Sequence, residues 1–473
     1  MAQPYPQPCD RGVIVAQPCP RELETEPDAA TKRWTLIACV LASALALIDG
    51  SALTVALPAL ARDFEVPLNG LHWVINGYVL ALASMTLAGG ALADARGRRR
   101  MLITGCVLFG VTSAACALAP SLAWLIAARV FQGIAAAIVT PASLALIGEV
   151  FPKDERNRAI GTWAAASALT TAAGPALGGW LTDTLGWAAV FWINPPLALL
   201  AIVILVRFGS DGPRQQGHFD WLGSVLLAAA MAAAAYALAD LAPSETGAVA
   251  GDGRTLAIVM CVSAVALGAA FVFWERRAKT PMMPPSLFRR PNFTALNLAT
   301  VLIYAGLSVV FFLIPFDLID TRGLTAAQAG LVFLPFTLAL GFLSRLSGAL
   351  IDELGARPLL VAGPMLAGVS FLGMGLFRDA SLIAATLVPM LAAGVGFAML
   401  VAPLTAGVMA AVDERDAGLA SGLNNTASRI AQLLGVALAA GIAPLASGYV
   451  VALSLAAALT MVGGLVLVGV REV

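Results

Sequence analysis

The sequence predicts an all-α integral membrane protein of fourteen transmembrane helices, built as two six-helix bundles related by pseudo-symmetry with an inserted two-helix hairpin. Three observations carry that prediction. Hydrophobic residues make up 59% of the 473 residues and charged residues 12%, against roughly 45–50% and 25% in soluble domains. Fourteen apolar stretches between polar breaks approach or exceed the roughly 20 residues that cross a bilayer core. GALADARGRRRML at Gly90 to Leu102, which closes the second stretch, returns 258 residues later as GALIDELGARPLL at Gly348 to Leu360. Weak internal symmetry of this kind between hydrophobic halves marks a duplicated membrane bundle.

Taken in order, residues 1–33 are rich in proline and charge, and their one apolar run, Gly12 to Ala16, is too short for a signal-peptide core. They read as a disordered cytosolic tail. The N-terminal bundle, 34–208, holds spans at about 34–57, 71–93, 101–119, 121–145, 159–182 and 187–207. A linker and the hairpin occupy 209–278, with spans at 219–241 and 254–274. The C-terminal bundle, 279–473, holds 293–316, 326–350, 358–377, 381–410, 417–445 and 447–470. Three matches fix this division: Asp94 with Asp352, Leu125 to Ala128 with Leu382 to Ala385, and Asp154-Glu155-Arg156 with Asp413-Glu414-Arg415, at offsets of 258, 257 and 259. Spans one to six therefore correspond to nine to fourteen, leaving seven and eight as the insertion.

Charge sets the orientation. With the tail inside, inner segments carry 21 of the 28 Lys and Arg, the outer loops carry Arg62, Arg254, Arg322 and Arg378, and Arg129, Arg345 and Arg429 fall within spans. The positive-inside rule then places both termini in the cytosol and the chain, multi-pass, in the cytoplasmic membrane. The formal net charge is zero, which gives no electrostatic basis for a nucleic-acid partner. The six cysteines have no metal-ligand spacing and predict no disulfide framework. None of the three lysines lies in GxxxxGK[ST], and His72 and His218 flank different helices on opposite faces. A phosphate-cradling pump and a membrane enzyme both lack their residues. No cofactor is expected.

The motifs resemble those of the major facilitator superfamily, in its fourteen-helix drug:proton antiporter branch. The likeness runs from 34 to 470. It rests on GALADARGRR in the loop between helices 2 and 3, LIAARVFQGIAAA at Leu125 to Ala137, AAGPALGGWL at Ala172 to Leu181, and LIDGSALTVALP at Leu47 to Pro58. FDWLG at Phe219 to Gly223 and ASGLNNTASRIAQLLGVA at Ala420 to Ala437 support it. The chain departs from the family at Ala188 and Ala189, where an Arg-Trp pair is usual, and at Asp317, Ile319 and Asp320. The resemblance implies a major-facilitator-type fold. It also implies proton-coupled efflux of small amphipathic or cationic compounds, such as drugs or antibiotics, by alternating access. The implied partners are a small-molecule substrate, protons and membrane lipid, with the proton gradient as energy source and a monomer as the working unit. A proton symporter for uptake and a non-transporting receptor of the same fold are the alternatives; the helix 5 glycine-proline motif, which marks exporters, counts against the first.

Asp49 is the sharpest single residue, because a carboxylate at the centre of a membrane helix costs at least about 2.5 kcal/mol. It lies eight residues before the outer end of the first span, and Arg129 lies eight residues after the outer start of the fourth. At about 1.5 Å per residue both sit roughly 12 Å deep and can meet across the bundle. Proton and substrate competing for one carboxylate would couple export to the proton gradient; a permanent ion pair is the other reading. The resemblance assigns Gly90, Asp94, Gly97, Arg98 and Arg99 to a cytosolic latch between the halves, with Asp352 and Arg357 as a weaker second copy or a topological anchor. Gly174, Pro175, Gly178 and Gly179 remove side chains along one helical stretch, which allows close helix approach as an outer gate or as plain packing. Asn76, Tyr78, Gln132, Tyr304, Asn425 and Arg429 are candidates for a substrate cavity. Arg345 reads as snorkelling to the interface, and Asp317 and Asp320 as solvated.

Overall fold

The computed structural model describes residues 28–66, 68–209, 220–240, 252–278, 281, 283–413, 417–445 and 447–470. All regular structure among them is helical. In chain order the helices are α1 Ala29–Asp63, α2 Leu68–Arg96, α3 Arg98–Ala117, α4 Leu122–Val150, α5 Lys153–Leu185, α6 Ala189–Phe208, α7 Trp221–Asp240 and α8 Asp252–Glu275. They continue as α9 Pro291–Thr321, α10 Ala326–Val332 resuming as Leu334–Leu354, α11 Ala356–Leu376, α12 Ile383–Ala410, α13 Ala417–Ile442 and α14 Gly448–Val468. Among the described residues, eleven helices are long and apolar enough to cross a membrane: α1, α3, α4, α6, α7, α8, α9, α10, α11, α12 and α14. The chain is a multi-pass membrane protein. Its exposed positions carry Val111, Phe131, Val203, Val262 and Phe342, the reverse of a water-facing surface and suited to lipid tails.

α1 starts at Ala29, five residues before the expected first span, where the Asp28 side chain accepts a 3.0 Å hydrogen bond from the Thr31 backbone. A carboxylate at this position satisfies a backbone donor that the helix leaves open. The rest of the tail and the linker at 210–219 lie outside the described residues. The loop expected at the end of α2 shrinks to Gly97, whose φ of 102° is open to glycine and lets α3 start at once. Gly355, at φ 76°, does the same between α10 and α11.

Packing repeats between the halves. α2 lies on α4, α1 on α5 and α6, and α3 on α4 and α6; α10 lies on α12, α9 on α13 and α14, and α11 on α12 and α14. Each pair in the first set becomes its partner in the second when eight is added to both helix numbers. The halves meet where α5 packs on α10, α2 on α13 and α1 on α9, while α7 and α8 pack on each other and α7 rests against α2 and α13. The end of the bundle where α1 begins is called the tail end below, and the opposite end the far end.

Candidate functional site

α4 carries Arg129 and Gln132 three residues apart, on one face of the helix. That face meets Asp49 of α1, and all three side chains are buried, at 1%, 0% and 0% exposure respectively. Arg129 Nη1 donates to Asp49 Oδ2, and Gln132 Nε2 donates to Asp49 Oδ1 at 2.9 Å. Asn194, at the start of the longer segment of α6 just before Pro195 and Pro196, donates to the same Oδ1 at 3.2 Å and to Ser113 Oγ at 2.9 Å. Arg129 also donates to Gln132 Oε1 at 2.7 Å and to the Val74 carbonyl at 3.0 Å. Its guanidinium carbon lies 4.2 Å from the centre of the Tyr78 ring, within cation–π range. Gln132, Asn194 and Tyr78, from three helices, thus close on one carboxylate and its arginine, and charge-assisted bonds of this type are the strong ones.

Gly133, one residue after Gln132, has no room for a side chain: a Cβ there would lie 2.9 Å from Ala81 Cβ and 3.1 Å from the Tyr78 carbonyl carbon. That close approach of α4 to α2 is what brings the Arg129 guanidinium over the Tyr78 ring.

At the tail end the motif residues separate. Arg98 pairs with Glu149 at 3.3 Å and donates to the Ala145 carbonyl at 3.2 Å, both on α4. Arg99 donates to the Leu205 and Val206 carbonyls at 2.8 and 2.9 Å, in the last turn of α6. Arg357, its counterpart, donates to the Val468 carbonyl at 2.6 Å, at the end of α14. Arg99 and Arg357 therefore reach carbonyls in the last turn of the closing helix of their own half, where end carbonyls are left open. Gly90 lies against Pro141, where a Cβ would make only an ordinary 3.6 Å contact. The side chains of Asp94, Arg345 and Asp352 lie outside the described residues.

The four residues expected at an outer gate divide between two neighbours. Gly174 and Gly178 face α1: a Cβ on Gly178 would stand 2.6 Å from both Cα and Cβ of Ala52, and one on Gly174 would stand 2.8 Å from Ser51 Cβ. Gly179 faces α10 of the other half, where a Cβ would come within 2.9 Å of Ala327 Cα. Pro175 meets the same helix, since a Cβ on Gly330 would lie 2.7 Å from the Pro175 carbonyl carbon. One turn beyond Gly179, the Asp183 carboxylate accepts backbone hydrogen bonds from Ala326 at 3.0 Å and Ala327 at 2.7 Å. It joins the two halves at the first turn of α10. A far-end cavity of about 470 Å³ opens beside it, lined by Arg62, Asp63, Trp187 and Ile319 among others.

The cavity candidates disperse. Gln132 belongs to the Asp49 site. Tyr78 is buried and donates to the Ala46 carbonyl at 3.3 Å. Asn76 is fully buried, and among the described residues neither of its amide atoms has a hydrogen-bond partner. Tyr304 stands edge-on to Phe397 at 6.0 Å. Asn425 is exposed and Arg429 half-buried. Asp317 corrects the expectation of a solvated acid: it is 4% exposed, clasped by Arg322 at 2.9 Å and Arg378 at 3.0 Å.

Comparison with known proteins settles the class. Residues 39–436 match the Major Facilitator Superfamily, and residues 296–472 match it a second time. The chain belongs to the major facilitator superfamily. It is 36% identical over 415 residues to the multidrug resistance protein Stp of Mycobacterium tuberculosis, covering 86% of this chain and 75% of that protein. It is 32% identical over 406 residues to the tetracenomycin C resistance and export protein of Streptomyces glaucescens, covering 85% and 74%. Among solved structures it superposes on a bacterial homologue of the human lysosomal transporter Spinster with a TM-score of 0.67 at 18% identity, covering 94% of this chain and 99% of that one.

Within this major facilitator, Asn194, Ser113 and Asp183 stand outside the residues that the sequence alone singles out. Asn194 left a readable mark, as the lone amide in the apolar run GWAAVFWINPPLALL. Asp183 left none, because an acid near a helix end reads first as a solvated group.

Proposed function

We propose that this chain is a proton-coupled exporter of small amphipathic compounds, drugs and antibiotics among them, working by alternating access. The observation that carries the reading is the buried Asp49, held by Arg129, Gln132 and Asn194 in the membrane interior. An ionisable group at such depth is a functional site by default, and proton relays are among its common uses. The relatives named for multidrug resistance and for antibiotic export support outward movement. Fourteen helices cross the membrane in this reading, with α7 and α8 inserted between the halves. The basic tail end faces the cytosol and the far end faces outward across the cytoplasmic membrane. The α5–α10 contact then closes the outer side, and Gly90 to Arg99 with Asp352 and Arg357 form the cytosolic latch when the other side closes. A single chain in lipid is the working unit.

The decisive experiment is transport of a compound panel in inverted membrane vesicles under an imposed pH gradient. Accumulation that depends on the gradient and disappears in Asp49→Asn is the expected result. Full transport by Asp49→Asn overturns the coupling role, and gradient-driven movement in the opposite direction establishes the symporter instead.

A further inference from the structure

One face of α13 is polar and open. Ser421, Asn425, Ser428, Arg429 and Gln432 are half-buried or exposed, while Leu423, Ala427, Ala431 and Leu433 are buried; Asn424 beside them is tied to α9, donating to Thr300 Oγ1 at 2.7 Å and Asn297 Oδ1 at 3.3 Å. Their spacing of three and four residues puts the open set on one side of the helix. Elsewhere the open positions of long helices hold valine, leucine and phenylalanine, as at Val111, Val262 and Phe342. A polar face at membrane depth lines water or protein and not lipid. α13 packs on α2 of the other half and on α9 of its own, so this face borders the cleft between the halves.

Arg429 lies at the middle of that face. Tyr78 of α2 and Tyr304 of α9 stand within its electrostatic reach, one from each half. It donates a long hydrogen bond of 3.4 Å to Gln432 Oε1, and among the described residues no carboxylate pairs with it. The buried acids among the described residues are taken elsewhere: Asp49 by Arg129, Gln132 and Asn194, Asp317 by Arg322 and Arg378, and Glu275 by the Met283 backbone. A positive charge therefore faces the cleft without a counter-ion among the described residues. A guanidinium fork matches a carboxylate in two parallel hydrogen bonds, and the half-buried Tyr304 adds aromatic surface beside it.

We propose that Arg429 is the anion-recognition point of the export cavity, and that the cargo carries an acidic oxygen, a carboxylate or an ionised phenol or enol, on an aromatic body. This keeps the amphipathic cargo expected from the sequence, sets an acidic group in place of a cationic one, and rests on the export reading above. Tyr78 connects the two sites, since its ring also lies under the Arg129 guanidinium that holds Asp49.

Binding measured without any gradient separates the cargo question from the coupling question. The full chain in lipid nanodiscs is titrated at neutral pH with N-dansyl-phenylalanine, its neutral primary amide, and the cation dansylcadaverine, with empty nanodiscs as background. The carboxylate dye is expected to bind about tenfold more tightly than the amide, as one charge-assisted pair provides. Arg429→Gln removes that advantage and leaves amide binding unchanged, Arg429→Lys keeps most of it, and Arg429→Glu turns the preference toward dansylcadaverine. Equal affinity of the wild-type chain for carboxylate and amide, no binding of the carboxylate dye, or an equal loss for both dyes in Arg429→Gln overturns the proposal. Asp49→Asn abolishes gradient-driven export yet retains the carboxylate preference, so failure of either reading is visible without the other.

Discussion

The carboxylate of Asp183, one turn from the far end of α5, accepts a 3.0 Å hydrogen bond from the backbone N–H of Ala326 at the first turn of α10. A second bond from Ala327, at 2.7 Å, completes the cap. A residue of one half thus serves as an N-terminal cap for a helix of the other. Caps of this kind contribute about 1 kcal/mol, and a negative charge at a helix start adds a favourable dipole interaction. Asp183→Ala is expected to speed hydrogen exchange of the amides of residues 326 and 327 about fivefold, measured by mass spectrometry on the full chain. Unchanged exchange there would falsify the cap's role in holding the halves.

Gly178 and Gly179 are adjacent yet face different partners, so equal substitutions are expected to act differently. A methyl at Gly178 collides with Ala52 inside the N-terminal half and lowers thermal stability by roughly 1–3 kcal/mol, the usual cost of overpacking. A methyl at Gly179 collides with the start of α10 and pushes the halves apart at the far end. It loosens the exchange protection of residues 326–332 with a smaller loss of stability. Melting temperatures and exchange maps of Gly178→Ala and Gly179→Ala separate the two outcomes.

Asn194→Ala removes one of the three donors to Asp49 and the bond to Ser113 Oγ. The expected loss is about 1–3 kcal/mol of stability, because the buried acceptors lose a partner they cannot replace from water. Gradient-driven export should fall with it while Arg429-dependent dye binding persists. Wild-type rates of export in this variant would remove Asn194 from the coupling site.

Arg99 and Arg357 each finish the last helix of their own half. Replacing either with alanine is expected to cost about 1 kcal/mol, read from unfolding in mixed micelles. Because the two contacts share no partner, the double variant should lose the sum to within about 0.5 kcal/mol. A strong departure from additivity would mean that the pair communicates across the halves.

Much of the architecture was legible in the chain because membrane helices are chosen by length and apolarity, and the duplication set their correspondence. The pairing of Asp49 with Arg129 was legible for a similar reason: equal distance from a helix end fixes equal depth. Its other ligands were not, since whether Gln132 faces a cavity or Asn194 turns toward α1 depends on helix rotation, which an alanine-rich sequence leaves open. Asp317 shows the opposite error, a charge near a helix end that reads as solvated until Arg322 and Arg378 are seen to fold over it. The GALADARGRR segment was legible as the break between the second and third helices, but the reach of Arg99 to α6 spans 106 residues and carries no local signal.

Every group that bonds the Asp49 carboxylate comes from α4 or α6, inside the half that holds Asp49 itself. In the alternating-access reading proposed above, this ligand shell would ride along with its own half, so rocking alone would leave the carboxylate's bonds in place. What would change with each stroke is which side can reach it: α5 and α10 would act as a shutter, with the carboxylate behind it.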